Sequence, residues 1–410
     1  MELPVVSICI PTYKRARYLA SLLESLCTQL ADFPYRFELV IADNASPDTT
    51  AQVVQDFSQR LPIRYLRHDS NIGGYPNWQF VMSKALGQYL VYLSDDDTLL
   101  GEPLAAIIGK MQADPELAVV YAPWLLYDLV DDRQVGQFYS VPQDLRVERQ
   151  QHSQLLDHIL RHGIFPEIQV LRRSAFEATM PRINDHAFLA FMHASDYLCQ
   201  GAVLIQQQPF YVAITRYFAD ENRDQLGTDE TQDAWDRYRG GLEYMLARCG
   251  PALSSEERTG FHLRIQQLIA QRIGVAIRLR RGLQRDPIDS YYLGMRLRGM
   301  GYESMLPVPM ETLAGEAMVQ FMLRDPEITR GMKRMLCVGD SSASERDFLS
   351  SRAGMPVDFV SDLDDCDALS DTLLFVRQNA VAAQRLDHAM AAQRNVRVLR
   401  EGHLAGKFGL

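Results

Sequence analysis

Hydrophobic and polar positions in residues 1–120 follow two alternating periods. Short apolar runs at 5–10, 37–42, 63–67 and 89–93 are typical of strands buried on both faces of a sheet. The segments between them carry apolar side chains at helical spacing, the first of them at Tyr18, Leu19, Leu22, Leu23, Leu26 and Leu30. Strands that alternate with helices need crossover connections, so the pattern predicts an α/β fold with a mainly parallel sheet.

Local sequence signals predict where two helices begin and where the domains divide. Ser46 followed by Pro47 predicts a helix with Ser46 as its N-cap and Pro47 at its first position. A later helix is expected to start just after Ser195. Beyond residue 225 the pattern is helical to about residue 332, and alternation returns from 333 to 410. We therefore predict an α/β domain at 1–225, a helical segment at 226–332 and a small α/β domain at 333–410.

Composition narrows the classes of function. The 410 residues are 47% hydrophobic, which is enough to build a large core in more than one domain. The net charge of -10 argues against a nucleic-acid partner, because such partners need a dominant basic face. The six cysteines are scattered without a CxxC pair, which indicates a reducing compartment and no zinc site. The sequence has no signal-peptide core and no apolar stretch of roughly 18 residues, so we expect a cytoplasmic protein.

The strongest chemical signal is three consecutive carboxylates, Asp95, Asp96 and Asp97, directly after the strand at 89–93. Adjacent carboxylates repel one another, so holding them together at a strand end favours a bound cation. Oxygen ligands suit Mg²⁺ or Mn²⁺, which commonly bridge protein carboxylates to phosphates. The alternative is a solvated acidic turn, which three aspartates alone do not exclude.

Polar loops after the neighbouring strands favour the interpretation that the three aspartates bind a cation. Residues 11–15 follow the first predicted strand, 43–46 follow the second and 71–74 follow the third. The carboxyl ends of parallel strands lie at one edge of a sheet, where ligands bind in open α/β folds. Together with the three aspartates, these loops predict a single cleft.

The segments Val6–Arg15, Ile41–Ser46, Asn71–Gly73 and Leu93–Asp97, in this order and spacing, resemble family-two glycosyltransferases of the GT-A fold. The aspartate motif is most similar to the abequosyltransferase-like, O-antigen-building branch. The resemblance covers roughly residues 4–125 and extends more loosely to about 220. It implies a Rossmann-like catalytic domain that transfers a sugar, of hexosyl type, from a nucleotide-diphosphate donor with inversion. The expected setting is the synthesis of cell-surface polysaccharide, lipopolysaccharide or another glycoconjugate.

The resemblance also assigns residues to the donor. A nucleotide of UDP, CDP or dTDP type is expected to contact Pro11, Thr12, Tyr13, Arg15, Asp43, Asn71, Gly73 and Asp95. Arg15 would reach a phosphate, and the alternative is that it only forms the exposed start of a helix. Asp43 would accept a hydrogen bond from the pyrimidine, and the alternative is that it caps the turn before Ser46. Asp96 is the expected main metal ligand and Asp97 a second candidate.

An inverting transfer needs a base that takes the proton of the acceptor hydroxyl. The resemblance implies a carboxylate at the start of a helix, and Asp196 fits that position. The alternative is an acidic first turn favoured by the helix dipole. Glu167 and Asp185 are further candidates for the base. Many relatives carry a histidine where this chain has 216–220, so either Arg216 contacts the diphosphate or Asp220 approaches the metal.

Weaker features concern the acceptor and partners. The arginine-rich segment 258–298 is either a peripheral contact with the inner face of a membrane, which would suit a lipid-linked glycan acceptor, or a solvated face packed against acidic groups. The C-terminal domain is expected to serve oligomerisation, acceptor docking or partner binding. Trp124 is the best candidate for stacking on a sugar.

Two competing functions are considered. A sugar-1-phosphate nucleotidyltransferase would share the fold and the metal, but it should carry a glycine-rich loop where this chain has residues 11–15. A non-catalytic module for a nucleotide sugar or a glycan would have lost turnover, and the intact aspartates argue against that loss.

Overall fold

A computed structural model describes residues 2–179, 186–220, 231–233, 235–361, 369–377 and 395–408. The chain forms two compact units. Unit 1 consists of Met1–Leu226 and Ala234–Ile269, and unit 2 of Gly227–Asp233 and Ala270–Leu410. The residues expected to form a separate helical segment at 226–332 are therefore divided between the two units.

Unit 1 contains strands in the order predicted from the sequence, followed by shorter strands. They are β1 (Val6–Thr12), β2 (Phe37–Asp43), β3 (Ile63–Arg67), β4 (Tyr89–Tyr92), β5 (Thr98–Leu99), β6 (Leu117–Tyr121), β7 (Trp124–Asp128), β8 (Arg133–Gln137), β9 (Leu145–Val147), β10 (Gln169–Arg172), β11 (Ala202–Ile205) and β12 (Tyr211–Arg216). Its helices are α1 (Ala16–Gln29), α2 (Thr50–Phe57), α3 (Gly74–Ser83), α4 (Gly101–Ala113), α5 (His152–His162), α6 (Arg173–Thr179), α7 (Leu189–Leu198) and α8 (Trp235–Arg248).

The main sheet of unit 1 has eight strands in the order β3-β2-β1-β4-β10-β6-β11-β9. Strands β10 and β9 run antiparallel to their neighbours, and the other pairings are parallel. A second sheet has the order β5-β12-β7-β8. The mainly parallel α/β fold expected from the alternating pattern is therefore confirmed.

Burial explains why the apolar runs form the centre of this sheet. In β1, Val6, Ile8, Cys9 and Ile10 have no exposed surface, as expected for a strand covered by helices on both faces. In α1, the buried residues are Leu19, Leu22, Leu23 and Leu26, which form a single stripe facing the sheet. These residues belong to the two periodicities seen in the sequence, so the core of unit 1 follows from its hydrophobic pattern.

The helix start predicted at Ser46 is wrong. Helix α2 begins at Thr50, not next to Ser46. The Ser46 hydroxyl instead accepts a hydrogen bond from the backbone N–H of Lys14 at 2.9 Å. Asp48 accepts from the N–H of Thr50 at 3.2 Å, which turns the chain into the helix. A contact between distant loops therefore takes the hydroxyl that local capping chemistry would have used.

Unit 2 contains helices and a four-stranded parallel sheet of order β14-β13-β15-β16. The strands are β13 (Arg334–Val338), β14 (Val357–Val360), β15 (Thr372–Val376) and β16 (Val396–Arg400). Within the described residues, the remaining helices are α9 (Ser255–Gly282), within which the boundary between the units falls, α10 (Pro287–Gly299), α11 (Met310–Arg324), α12 (Pro326–Thr329), α13 (Ala343–Arg352) and α14 (Glu401–Ala405).

Helix α13 starts with a capping box, in which Ser342 accepts from the N–H of Glu345 and the Glu345 carboxylate accepts from the N–H of Ser342. The α/β character predicted for 333–410 is thus present in unit 2. Within the described residues, no helix is both long and apolar enough to cross a bilayer.

Candidate active site

Three polar loops lie side by side at one edge of the main sheet. In the parallel register Thr12 pairs with Asp43 and Cys9 pairs with Tyr92, so β1, β2 and β4 end close together. The backbone N–H of Asn44 donates to the Thr12 carbonyl at 2.9 Å and joins the first two loops. The structure therefore brings the loops after β1, β2 and β4 together, as their positions in the sequence predicted.

Asn44 fastens the fourth loop to this edge. Its side-chain N–H donates to Oδ1 of Asn71 at 2.8 Å and to the carbonyl of Gly73 at 3.2 Å. Its own Oδ1 accepts from the N–H of Ile72 at 2.8 Å. Gly73 has a φ of 95°, a region that side chains disfavour, so glycine fits this turn. Asn44 was given no role from the sequence, and its place beside Asp43 was the available signal.

The loop after β1 differs in detail from its prediction. Pro11 and Thr12 belong to β1 itself, and the turn begins at Tyr13. A hydrogen bond with Asn71 lowers the pKa of the Tyr13 phenol, and a hydrogen bond with Lys14 lowers it further. Tyr13 and Asn71 therefore contact each other across the opening between the first and fourth loops.

Asp43 is completely buried at the end of β2. Its Oδ1 accepts from the N–H of Ser46 at 2.8 Å, and its Oδ2 accepts from the hydroxyl of Tyr65 at 2.5 Å. Arg67 lies 3.8 Å from the same carboxylate. The turn-capping role named as the alternative is therefore present, and a contact with a nucleotide base stays a prediction. Tyr65 and Arg67, on β3, were not singled out from the sequence.

The three consecutive aspartates have three different environments. Asp95 is 8% exposed, and burial and the neighbouring Asp96 raise its pKa to about 7, while Arg15 opposes the shift. Oδ2 of Asp96 lies 2.5 Å from Nη1 of Arg15, in an ion pair with 21% of the arginine side chain and 15% of the aspartate side chain exposed. Arg15 thus supplies positive charge beside the carboxylates.

Asp97 faces the second sheet of unit 1. Its Oδ2 accepts from the Tyr211 hydroxyl at 2.7 Å, and its Oδ1 accepts from the backbone N–H of Ile214 at 2.9 Å. Both partners lie on β12, so Asp97 joins the aspartate loop to that strand. Each oxygen of Asp97 already accepts a hydrogen bond, and this favours a structural role.

The aspartate loop suits a hard cation only if substrate phosphates and water supply the other oxygen ligands. Among the described residues, no group of three or more His, Cys, Asp or Glu side chains is arranged to hold a metal ion. Mg²⁺ needs only one or two carboxylates when substrate phosphates and water complete its shell. Asp96 and Asp95 meet that smaller requirement, and the raised pKa of Asp95 indicates that the site would gain from more positive charge.

The predicted base, Asp196, lies in the last turn of α7, so the expectation that this helix starts after Ser195 is wrong. The chain then enters β11, where Ala202 pairs with Leu117, the first residue of β6. Strands β4 and β6 are both antiparallel to β10 and so point the same way. Since Asp95 follows the end of β4, Asp196 lies toward the opposite edge of the sheet.

Asp196 also has a structural partner. Its Oδ1 accepts from the hydroxyl of Tyr244 at 2.7 Å, which links α7 to α8. The reason for the misplaced boundary is visible in the sequence, because residues 188–192 are mostly apolar and extend the helix upstream of the acidic residue. Asp185, another candidate for the base, lies outside the described residues.

Glu167, the remaining candidate, lies at the aspartate edge. It is exposed and precedes β10, the strand that pairs with β4. Its backbone N–H donates to the carbonyl of Phe165 at 2.9 Å. Because β10 is antiparallel to β4, its beginning lies beside the end of β4.

Aromatic side chains stand next to Glu167. The ring of Trp124 stacks on Phe138 with centroids 4.2 Å apart, and Phe165 meets Phe138 edge-on at 5.6 Å. Trp124 is only 8% exposed, whereas Phe138 is 40% exposed. The exposed aromatic surface of this group therefore belongs to Phe138, which was not singled out from the sequence, and the stacking of Trp124 on a sugar stays a prediction.

Arg216 and Asp220 have other partners than those considered from the sequence. Arg216 forms ion pairs with Asp128, the last residue of β7, at 2.9 Å and with Asp131, in the turn after β7, at 2.8 Å. Asp220 lies 3.7 Å from Arg17, and both side chains are largely exposed. Arg216 is thus already neutralised by carboxylates in this structure.

Comparison with known proteins identifies the family of this region. The family described as Glycosyl transferase family 2 matches residues 7–179. Residues 7–179 are a family 2 glycosyltransferase domain. The loops and aspartates described above up to Asp97, and Glu167, all fall within this family 2 domain, whereas Asp196 lies beyond it.

Curated relatives align with part of this chain. The abequosyltransferase RfbV of Salmonella typhimurium is 36% identical over 131 residues, which cover 32% of this chain and 39% of the relative. The poly(ribitol-phosphate) beta-N-acetylglucosaminyltransferase TarS of Staphylococcus aureus is 33% identical over 113 residues, 26% of this chain and 19% of the relative. The alignments thus span about two fifths or less of these relatives.

Solved structures similar to the chain include TarS 1-349 of S. aureus in complex with UDP-GlcNAc. The TM-score is 0.47 at 17% sequence identity, covering 73% of this chain and 90% of the TarS chain. A second TarS structure, in complex with UDP, has a TM-score of 0.47 at 18% identity and covers 78% and 81% of the two chains.

Proposed function

We propose that the protein is an inverting glycosyltransferase that moves a sugar from a nucleotide-diphosphate sugar to an acceptor hydroxyl. The observation that supports this most is the set of loops around Asp95 and Asp96 within a family 2 glycosyltransferase domain. These loops combine carboxylate oxygens, the Arg15 side chain paired with Asp96, and turns rich in hydrogen-bonding groups. They lie at the edge of a parallel sheet. That is the usual place for a nucleotide in open α/β folds.

The donor nucleotide would lie against the loops after β1, β2 and β3. Tyr13 and Asn71, which bond each other, would border the base and ribose, together with Gly73 and the more deeply set Thr12. Asp95, which is buried at the edge of the cleft, would lie near the ribose or the sugar. Pro11 and Asp43 would shape the floor of this pocket. UDP, CDP and dTDP are the nucleotides to test.

Arg15 and Asp96 would handle the diphosphate. Arginine binds phosphate oxygens through two parallel N–H groups, so Arg15 is suited to the diphosphate once it leaves Asp96. Asp96 would then hold Mn²⁺ or Mg²⁺, with Asp95 close by. When bound, the ion would offset the charge that develops on the leaving diphosphate. The hydrogen bonds of Asp97 favour positioning of the loop over metal binding.

The acceptor is expected to be a glycan or a lipid-linked glycan. The two named relatives are an abequosyltransferase and a poly(ribitol-phosphate) beta-N-acetylglucosaminyltransferase. Their names support a role in building a cell-surface polysaccharide or a related glycoconjugate. Because the two names specify different sugars, they do not select the donor sugar of this protein.

A nucleotide screen tests the donor site directly. The melting temperature is measured with UDP, CDP and dTDP, with and without Mn²⁺, following tryptophan fluorescence. A ligand at about 100 times its dissociation constant should stabilise the folded protein by about 2.7 kcal/mol. We expect a Mn²⁺-dependent shift with one nucleotide and its loss in Asp96→Ala.

Asp56→Ala is the matched control, since Asp56 is an exposed aspartate of α2 whose carboxylate bonds Gln52 at 2.8 Å. It should keep the full shift. Turnover is then measured as release of the nucleoside diphosphate from the donor, with and without glycan acceptors. If no nucleotide shifts the melting temperature at millimolar concentration, the proposal is wrong and a non-catalytic module becomes the better account.

A further inference from the structure

Unit 2 contains a cavity of about 1310 Å³, and the described residues that line it all belong to the range Ala270–Leu410. The C-terminal ends of β13, β15 and β16 meet beside it, because Val338 pairs with Val376 and Val376 pairs with Arg400. Helices α9, α10 and α11 complete its wall. Pockets for small ligands typically measure about 300–1,000 Å³, so this cavity has room for a ligand of several linked rings.

The cavity lies where the strand order of this sheet reverses. Strand β13 comes first along the chain but lies between β14 and β15 in the order β14-β13-β15-β16. The chain therefore passes from β13 to β14 on one side and then to β15 on the other. Ligands of open α/β sheets bind in the crevice at such a switch point. Arg377, which follows β15, lines the cavity, and its backbone N–H donates to the carbonyl of Val338 in β13 at 2.9 Å.

The start of α13 argues against a phosphate-bearing ligand in this crevice. The segment Val338–Ser341 has the order of a nucleotide-binding turn, with a strand end and a glycine before a helix. A phosphate would use the N–H groups at the start of that helix. The capping box engages two of them, because the Glu345 carboxylate accepts from the N–H of Ser342 at 2.8 Å and the Ser342 hydroxyl accepts from the N–H of Glu345 at 3.3 Å. The Glu345 carboxylate would also repel a phosphate.

Charges of the two signs are balanced around the cavity. Five arginines line it, namely Arg278, Arg281, Arg285, Arg352 and Arg377. Five carboxylates line it as well, namely Glu311, Glu316, Glu345, Asp347 and Glu401. A ligand with a net charge of either sign would meet like charges as well as opposite ones, so the lining favours a neutral ligand.

Several of these charges form pairs that place hydrogen-bond donors beside acceptors. The Arg377 guanidinium donates to Glu345 at 2.8 Å and to Glu401 at 3.1 Å. Arg281 donates twice to the Glu316 carboxylate, at 2.6 Å and 3.1 Å. Because a hydroxyl both donates and accepts, a guanidinium next to a carboxylate can bind hydroxyl groups of an uncharged ligand.

We propose that unit 2 binds a neutral oligosaccharide in this cavity. Sugars carry many hydroxyls without a net charge, and a few linked pyranoses match the volume. Met318 and Phe348 add apolar surface to the lining, against which the C–H groups of a pyranose can pack. The cavity belongs to a different unit from the donor site, and binding there does not depend on the proposed transferase function.

Saturation-transfer NMR with the full chain tests for binding at millimolar ligand concentration. The neutral probes are hexasaccharides of glucose, mannose, galactose and rhamnose. Hexagalacturonate is the acidic probe, and a glucosamine hexamer is the cationic probe. We expect at least one neutral hexasaccharide to bind, and both charged probes to bind more weakly than it does. The absence of a signal from every neutral probe, or a lower dissociation constant for either charged probe, would overturn the proposal.

Two glycines of the lining allow the cavity to be filled by substitution. An added Cβ at Gly315 of α11, or at Gly282 at the end of α9, meets no neighbouring atom outside the helix backbone within 4 Å. Gly315→Trp and Gly282→Trp should each weaken saccharide binding about tenfold or more. Gly299→Trp is the matched control, because Gly299 ends α10 with the same open space but lies outside the described lining. It should keep the affinity within about twofold.

The nucleotide-dependent shift in melting temperature distinguishes this cavity from the donor site. Both cavity variants should keep that shift, and circular dichroism checks that they are folded. If folded Gly315→Trp and Gly282→Trp bind the saccharide as the wild type does, the sugar binds elsewhere and the assignment of this cavity is wrong. A nucleotide screen without any shift would instead contradict the transferase function and leave the saccharide result unchanged.

Discussion

Replacing Asp97 tests whether the third aspartate is a structural acceptor or a metal ligand. Its two oxygens accept from the Tyr211 hydroxyl and the Ile214 N–H. Tyr211 is 2% exposed and Ile214 is 5% exposed, so water cannot readily replace the lost acceptor. Asp97→Ala therefore leaves two buried donors without this partner.

The size of the effect follows from those two donors. A buried donor left unsatisfied costs about 1–3 kcal/mol. Two donors that share one carboxylate should together cost about 3 kcal/mol of unfolding free energy, since part of the space left by the side chain can admit water. Asp97→Asn keeps one acceptor oxygen and should cost about 1 kcal/mol. The order Ala worse than Asn is itself a test of the geometry.

Urea unfolding followed by tryptophan fluorescence is the suitable assay. Trp78, Trp124 and Trp235 all lie in unit 1, so the signal reports the unit that contains Asp97. Asp56→Ala is the control, because losing the hydrogen bond between the exposed Asp56 and Gln52 should change stability by no more than about 0.5 kcal/mol. If metal-free Asp97→Ala unfolds within about 0.5 kcal/mol of wild type, the structural role of Asp97 is refuted.

Three further predictions concern pH, packing and metal. Burial lowers the pKa of His193 to about 4, so the unfolded chain takes up its proton first and stability is lost as pH falls below about 6.5. Between about pH 7.5 and pH 5.5 the wild type should lose about 1.3 kcal/mol more than His193→Gln in urea unfolding, and equal losses would contradict this. Gly87→Ala would place a Cβ 2.6 Å from the backbone nitrogen of Ser7 and should cost about 2 kcal/mol, whereas Gly136→Ala, with no atom within 4 Å, should be nearly neutral by the same measurement. EDTA should stop turnover and Mn²⁺ should restore it, and activity that survives chelation would exclude a metal-dependent reaction.

Much of the fold of unit 1 could be predicted from the sequence, because the spacing of hydrophobic residues and the order of the strands along the chain determine it. The third strand, Ile63–Arg67, was predicted at its observed bounds, and four of the six residues of the predicted stripe are the buried residues of α1. Parallel strands that follow one another place their carboxyl ends together, so the meeting of the loops at Thr12, Asp43 and Tyr92 also followed.

What the sequence could not supply were contacts between distant segments. Ser46 is drawn to Lys14 and gives up its expected cap, and Asp97 is drawn to β12, far along the chain. The position of Asp196 depended on where α7 begins, and apolar residues before it moved that start. The two predicted helix starts were therefore wrong for different reasons: Ser46 bonds a residue in another loop, and apolar residues extend α7 upstream of Asp196.

The ion pair between Arg15 and Asp96 has a thermodynamic consequence for any cation that binds there. A cation that binds Asp96 must first displace Arg15. The stability of the ion pair between Arg15 and Asp96 therefore reduces the apparent affinity of the cation for the free protein. A diphosphate that engages the Arg15 guanidinium removes this competitor and raises the apparent affinity of the ion. Linkage makes the effect reciprocal, so the ion raises the affinity of the diphosphate by the same factor. Two ligands that each bind weakly alone would then bind as a pair.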